Sequence, residues 1–232
     1  MVSHGGLTSL PLVAQARISG ALGADERAYR VSRSGDGYWA FSPAQRLRAR
    51  FDRAGALIAS GRARLSLGLS AVGYGASLEP LGRVQPFARA NRVVYARPGL
   101  SEWYANGPAG LEQGFTIARA PTGRVDGPLT LALALSGDVR PALSGGGRSL
   151  TFSAPGGSSL RYGGLAASDA RGRSLHSWLE LRGGRVLLRV DAGGASYPLR
   201  IDPSSSRARS WSAEAVGSSA PAWRCRPMGT PR

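Results

Sequence analysis

The sequence predicts an all-β protein: an antiparallel β-sandwich with a C-terminal three-stranded meander, plus a smaller N-terminal β-unit. Apolar residues recur at every second position in short segments, the signature of half-buried strands. An Asp-x-x-Gly device recurs between such segments. The chain also carries 33 Gly and 15 Pro among its 232 residues, frequent punctuation that suits many short strands. An apolar fraction of 42% is that of a folded chain, and no apolar run approaches the ~20 residues of a membrane span.

Residues 1–26 read as an irregular N-terminal segment. "LTSLPLVAQA" (Leu7 to Ala16) ends in Ala14-Gln15-Ala16, a small-residue pattern like a signal-peptidase site. No basic residue precedes it, however, and Thr8, Ser9 and Pro11 interrupt the apolar stretch. The expectation is either a mature chain start whose leader is missing or an ordinary tail.

Residues 27–90 read as a small β-unit followed by a Pro-containing connector. "RLRARF" places Leu47, Ala49 and Phe51 on one face and Arg on the other. "ARLSLGLSAV" does the same with Leu65, Leu67, Leu69 and Ala71. "SLEPLGRVQPFARAN" (Ser77 to Asn91) has two prolines and little alternation, and so reads as the connector.

Residues 91–203 read as the β-sandwich domain. One sheet is expected from Arg92–Ala96, Gly114–Ala118, Leu129–Leu135, Ser149–Ser153 and Ser159–Tyr162. The other is expected from Ser174 to Asp202, a meander with Leu179, Leu181, Val186, Leu188, Val190, Tyr197, Leu199 and Ile201 on one face. Three strands with one apolar face need a second layer to pack on. Turns are expected at Asp52–Gly55, Asp169–Gly172, Arg182–Arg185 and Asp191–Gly194. Asp opens such a turn by accepting backbone N–H bonds, and Gly supplies the positive φ where the chain re-enters a strand.

The formal charge is +16, and all 30 basic residues are Arg. Selection for phosphate binding has no reason to exclude Lys, a good phosphate ligand. The Arg residues are scattered and alternate with apolar ones, as in "GRVLLRV", which describes the wet face of a strand. Specific nucleic-acid binding is therefore not expected; a basic β-domain binding nucleic acid or another polyanion is the alternative.

No motif specifies a reaction. "LSEWYANGPAGLEQGF" (Leu100 to Phe115) holds Glu102 and Glu112 beside Trp103 and Tyr104. Paired carboxylates near aromatics are the ingredients of a glycoside-cleaving site, and a carbohydrate-active enzyme using Glu102 and Glu112 is the third reading. The same stretch also reads as a turn and packed loop with Trp103 and Phe115 in the core. The histidines are His4 and His176; His176 faces away from the Leu179/Leu181 row and reads as a surface residue beside Trp178. There is no G-x-S-x-G, no P-loop Lys after "SGGG", and a single cysteine, Cys225. The expectation is no catalytic, cofactor-binding or metal residue, and no cofactor.

After Pro203 the pattern stops: the chain turns Ser/Arg-rich, then Ala/Pro-rich. If one base is lost there, the codons of "PSSSRARSWS" accommodate P-F-V-Q-Q-G-Q-E-L-V. Those of "AWRCRPMGT" accommodate V-A-L-S-A-D-G-N-T, with Trp223 and Met228 restricting the choice. One alternative frame thus restores strand-like text at both ends. Residues 204–232 are accordingly read as an out-of-frame, disordered tail, because a random frame rarely supplies a periodic apolar face.

V-A-L-S-A-D-G-N-T is similar to the start of an FG-GAP repeat, the blade unit of integrin-like β-propellers. Upstream, "EWYANGPAGLEQGFT", "GPLTLALALSG", "LRYGGLAASDARGR", "SWLEL" and "YPLRIDP" together resemble the N-terminal module that precedes such repeats in large secreted bacterial proteins. The likeness covers 91–203 and fades back to about residue 18. It implies an extracellular or cell-surface, non-catalytic module whose normal partner is a β-propeller downstream in the same chain, with an extracellular ligand carried by the propeller.

Overall fold

A computed structural model describes residues 20–123, 126–144, 146–163, 165–203 and 212–215. A helical stretch at 20–25 and a 3-10 turn at Arg27–Tyr29 lead into the strands. β1 (Ser32–Ser34), β2 (Gly37–Ser42), β3 (Leu47–Asp52), β4 (Gly55–Ser60) and β5 (Ala63–Tyr74) form an antiparallel meander, and β6 (Ser77–Pro80) folds back on the last residues of β5. β7 (Phe87–Arg89), β8 (Arg92–Arg97), β9 (Leu100–Gly107) and β10 (Gly110–Ile117) form a second meander. β11 (Leu129–Gly137) returns to pair with β5. β12 (Arg140–Ser144), β13 (Ser149–Ser153) and β14 (Ser158–Gly163) make a small third sheet. β15 (Leu165–Ser168) and β16 (Ser174–Leu175) pair with each other, β17 (Ser177–Arg182) and β18 (Arg185–Val190) form a hairpin, and β19 (Leu199–Pro203) and β20 (Ser212–Ala215) follow.

The first sheet runs β1-β2-β3-β4-β5-β11-β18-β17, with β6 beside β5. The second runs β16-β15-β19-β10-β9-β8-β7, and the third β12-β13-β14-β20. The two large sheets face each other across one core, in which Phe51 of the first meets Tyr104 of the second with ring centroids 4.9 Å apart. Leu150, Phe152 and Leu160 of the third sheet belong to the same core. The all-β antiparallel class predicted from period-two patterning is the one observed, and the turn chemistry is as expected. Asp52 Oδ1 accepts the Ala54 N–H at 2.8 Å, Asp169 Oδ1 accepts those of Arg171 and Arg173 at 3.0 Å, and Gly183 and Gly184 both take positive φ.

Four expectations are corrected. First, residue 90 is not a boundary: it lies in the β7–β8 hairpin. The strands on either side of it share a sheet, because β5 pairs with β11 over nine residue pairs. Leu65, Leu67 and Leu69 continue the apolar surface of Leu129, Leu131 and Leu133, so separating them would expose both rows. Second, the C-terminal segment is not a three-stranded meander. β17 and β18 pair as expected, but β19 pairs with β10 and β15 in the opposite sheet. Its Leu199 and Ile201 still point into the core, from the other side. The connector 191–198 is too long for a tight hairpin and arches across the core edge instead. Third, the strands grouped into one sheet are divided among three: β8 and β10 lie in the second, β11 in the first, β13 and β14 in the third. Fourth, β20 lies within the segment expected to lack structure, antiparallel to β14. An open strand edge takes up backbone partners without requiring a periodic apolar face. The remainder of that tail, with Cys225, lies outside the described residues, as do His4 and the Leu7–Ala16 stretch.

Candidate functional site

β9 is a strand that alternates over Leu100–Tyr104 and is buried on both faces from Tyr104 to Gly107, and Trp103, expected in the core, lies on its outer face. Leu100, Glu102, Tyr104 and Asn106 point into the core, while Ser101 and Trp103 point out. β10 pairs with it so that Gln113 lies opposite Tyr104 and Phe115 opposite Glu102. This register builds a buried polar cluster. Tyr104 Oη donates to Glu102 Oε1 at 2.8 Å, and Gln113 Nε2 reaches the same oxygen at 2.9 Å. Arg97, inward on β8 in phase with Val93 and Tyr95, brings its Nη1 to 3.8 Å from Glu102 Oε2. Its side chain is 8% exposed and that of Glu102 is 3% exposed. Burial pushes the Glu102 carboxyl above the usual carboxylate range, against the opposing effects of the Tyr104 and Gln113 hydrogen bonds and the Arg97 charge. Burial, then the neighbouring Glu102, pushes the Tyr104 phenol well up.

The cluster sits behind an interruption in the first sheet. One edge of β5 is covered by β4 as far as the Ala56–Leu67 pair and by β6 from the Ala71–Pro80 pair onward. Gly68 and Leu69 fall between the two ladders. A cleft of about 450 Å³ lies here, lined by Arg53, Ser66, Ser70 and Arg83 around the opening and by Tyr95, Arg97 and Glu102 of the facing sheet. Tyr95 Oη donates to the Gly55 carbonyl at 2.7 Å, with that of Asp52 at 3.0 Å, tying the β3–β4 turn to β8 beside the cleft.

Glu112 is not part of this cluster. It lies opposite Ala105, three residues from Glu102 along β9, and three is an odd step on a pleated strand. The two glutamates therefore project from opposite faces of the second sheet. A pair of carboxylates must flank one bond to cleave it, and this register does not bring Glu102 and Glu112 to one face of the sheet. On the outer face Arg92 stacks over the Trp103 ring at 4.0 Å, and Trp103 lies against Gly114, where a Cβ would fall 2.2 Å from its Cζ2. Burial pushes the Glu112 carboxyl up to about 8, with Arg92 opposing and Asp202 adding to the shift.

His176 is exposed and stacks on Trp178 at 5.0 Å; Trp178 Nε1 donates to Glu180, which also pairs with Arg189 at 3.1 Å. Among the described residues no three His, Cys, Asp or Glu side chains come together as a metal site would require, and no helix is long and apolar enough to cross a membrane. Sequence reasoning missed Arg97 and Gln113. Their signal was present: both are polar residues in phase with an apolar row, and so they had to point inward.

No protein-family model, curated protein or solved structure matches this chain.

Proposed function

We propose that this chain is a non-catalytic structural and interaction module of a secreted or cell-surface bacterial repeat protein, one that leads into an FG-GAP-type β-propeller. The observation that carries the reading is the placement of β19. This strand, ending at Pro203, is hydrogen-bonded on both sides, to β10 and to β15. Chain continuing from it starts at a rigid position, as a module that fixes the orientation of a following domain requires. The blocks of sequence that resemble the pre-propeller module support the same reading. β20 weighs against the idea that everything beyond Pro203 is out of frame.

One surface favours the polyanion reading. On the outer face of the first sheet Trp39 and Phe41 are 39% and 45% exposed. They lie opposite Arg50 and Arg48, and Arg48 sits 5.8 Å over the Phe41 ring. Aromatic and Arg side chains interleaved on a sheet are a stacking platform for single-stranded nucleic acid. Against this, Arg50 is already paired with Asp36 at 3.4 Å and Asp52 at 3.6 Å. A filter-binding titration with single-stranded DNA over a salt series separates the two. The module reading predicts no saturable binding near physiological salt. Saturable binding that weakens steeply with salt and is lost in a Trp39→Ala/Phe41→Ala variant would establish the polyanion reading instead.

A further inference from the structure

We propose that the cleft at the interrupted edge of β5 binds a small organic molecule through a carboxylate, sulfate or phosphate group held by Arg97. The site is independent of whether the chain precedes a propeller.

Arg97 is the reason. Its side chain is more than nine-tenths buried, yet only Nε has a close acceptor, the Gly82 carbonyl at 3.3 Å. Nη1 has no hydrogen-bond partner among the described residues. Glu102 does not supply one. Its nearer oxygen is 3.8 Å away, beyond hydrogen-bond reach, and its other oxygen is taken by Tyr104 and Gln113. Buried Arg donors are normally saturated; Arg97 lines the cleft with an unsaturated guanidinium, a planar fork of the kind that matches an oxyanion.

The rest of the cleft agrees. Arg53 and Arg83 are exposed at its margin, and Glu102 is the one acidic side chain lining it. Leu67, Leu69, Leu81 and Leu135 supply apolar wall for a ligand body. A volume of about 450 Å³ falls within the range of small-molecule sites, about 300–1,000 Å³.

Titration calorimetry on the full chain tests this with sodium sulfate, sodium phosphate, benzoate and glucuronate, at constant ionic strength in chloride. The expected result is saturable one-site binding of at least one probe. Arg97→Gln should weaken it at least tenfold and Arg83→Gln severalfold, while Arg64→Gln, on the outer face of β5, leaves it unchanged. Binding of the inorganic anions alone would identify a free sulfate or phosphate site; preference for benzoate or glucuronate would identify an organic acid. Should Arg97→Gln fail to fold, Arg83→Gln and Arg53→Gln at the exposed margin decide. Absence of saturable binding for all four probes, or binding indifferent to these arginines, overturns the proposal and leaves Arg97 a structural residue.

Discussion

Glu112 projects outward from β10 beside the Arg92–Trp103 stack, and burial raises its carboxyl to about 8. A carboxyl whose folded pKa lies above its unfolded value of 4.5 keeps a proton that the unfolded chain releases. Its contribution to stability is complete below pH 4.5 and is lost as pH rises through 8. The urea midpoint should therefore fall between pH 5 and pH 9. Glu112→Gln should flatten that fall by an amount on the order of a few kcal/mol in unfolding free energy. A residual slope of the same sign should remain, because the Glu102 carboxyl is also raised by burial. An unchanged slope in the variant would show that Glu112 is solvated. At this scale the sequence was partly legible. The phase of Leu100 turns Glu102 inward and the phase of Val93 and Tyr95 turns Arg97 inward, but a period of two does not set the two side chains beside each other. What periodicity lacks is the register between β9 and β10, since nothing in "NGPAG" states how many residues the turn consumes. That register alone separates Glu102 from Glu112 and brings Gln113 to Tyr104.

Hairpins were legible because their information is local. Asp-x-x-Gly and Gly-Gly turns mark β3–β4 and β17–β18, and the alternating leucines of β5 and β11 mark their inner faces. Neighbours distant in sequence were not legible. An inward row of Leu fits beside any other inward row, so pattern alone does not tell β11 to insert between β5 and β18, or β19 to cross to the opposite sheet. The β5–β11 pairing has a mechanical consequence, because it joins residues on both sides of position 90 through a shared core. Leu131, fully buried on β11, is a fair probe: Leu131→Ala should destabilise by about 2–5 kcal/mol. Both the wild-type chain and the variant should unfold in one transition, with tryptophan fluorescence and far-UV circular dichroism coincident. Two separated transitions would show that 27–90 and 91–203 are independent domains.

At the scale of the whole molecule, three antiparallel sheets converge on one core, and a cationic cleft opens where β4 and β6 leave β5 uncovered. Outside that cleft the described Arg residues are spread over strand faces, which favours an interaction module over a nucleic-acid reader. On the proposed function, this module runs on into a propeller encoded beyond Pro203. The most direct measurement is the nucleotide sequence of the coding DNA beyond codon 203. The expected result is that the frame displaced by one base stays open and encodes FG-GAP-type repeats at the spacing of propeller blades. An early stop in that frame, or an open frame without such repeats, would contradict it.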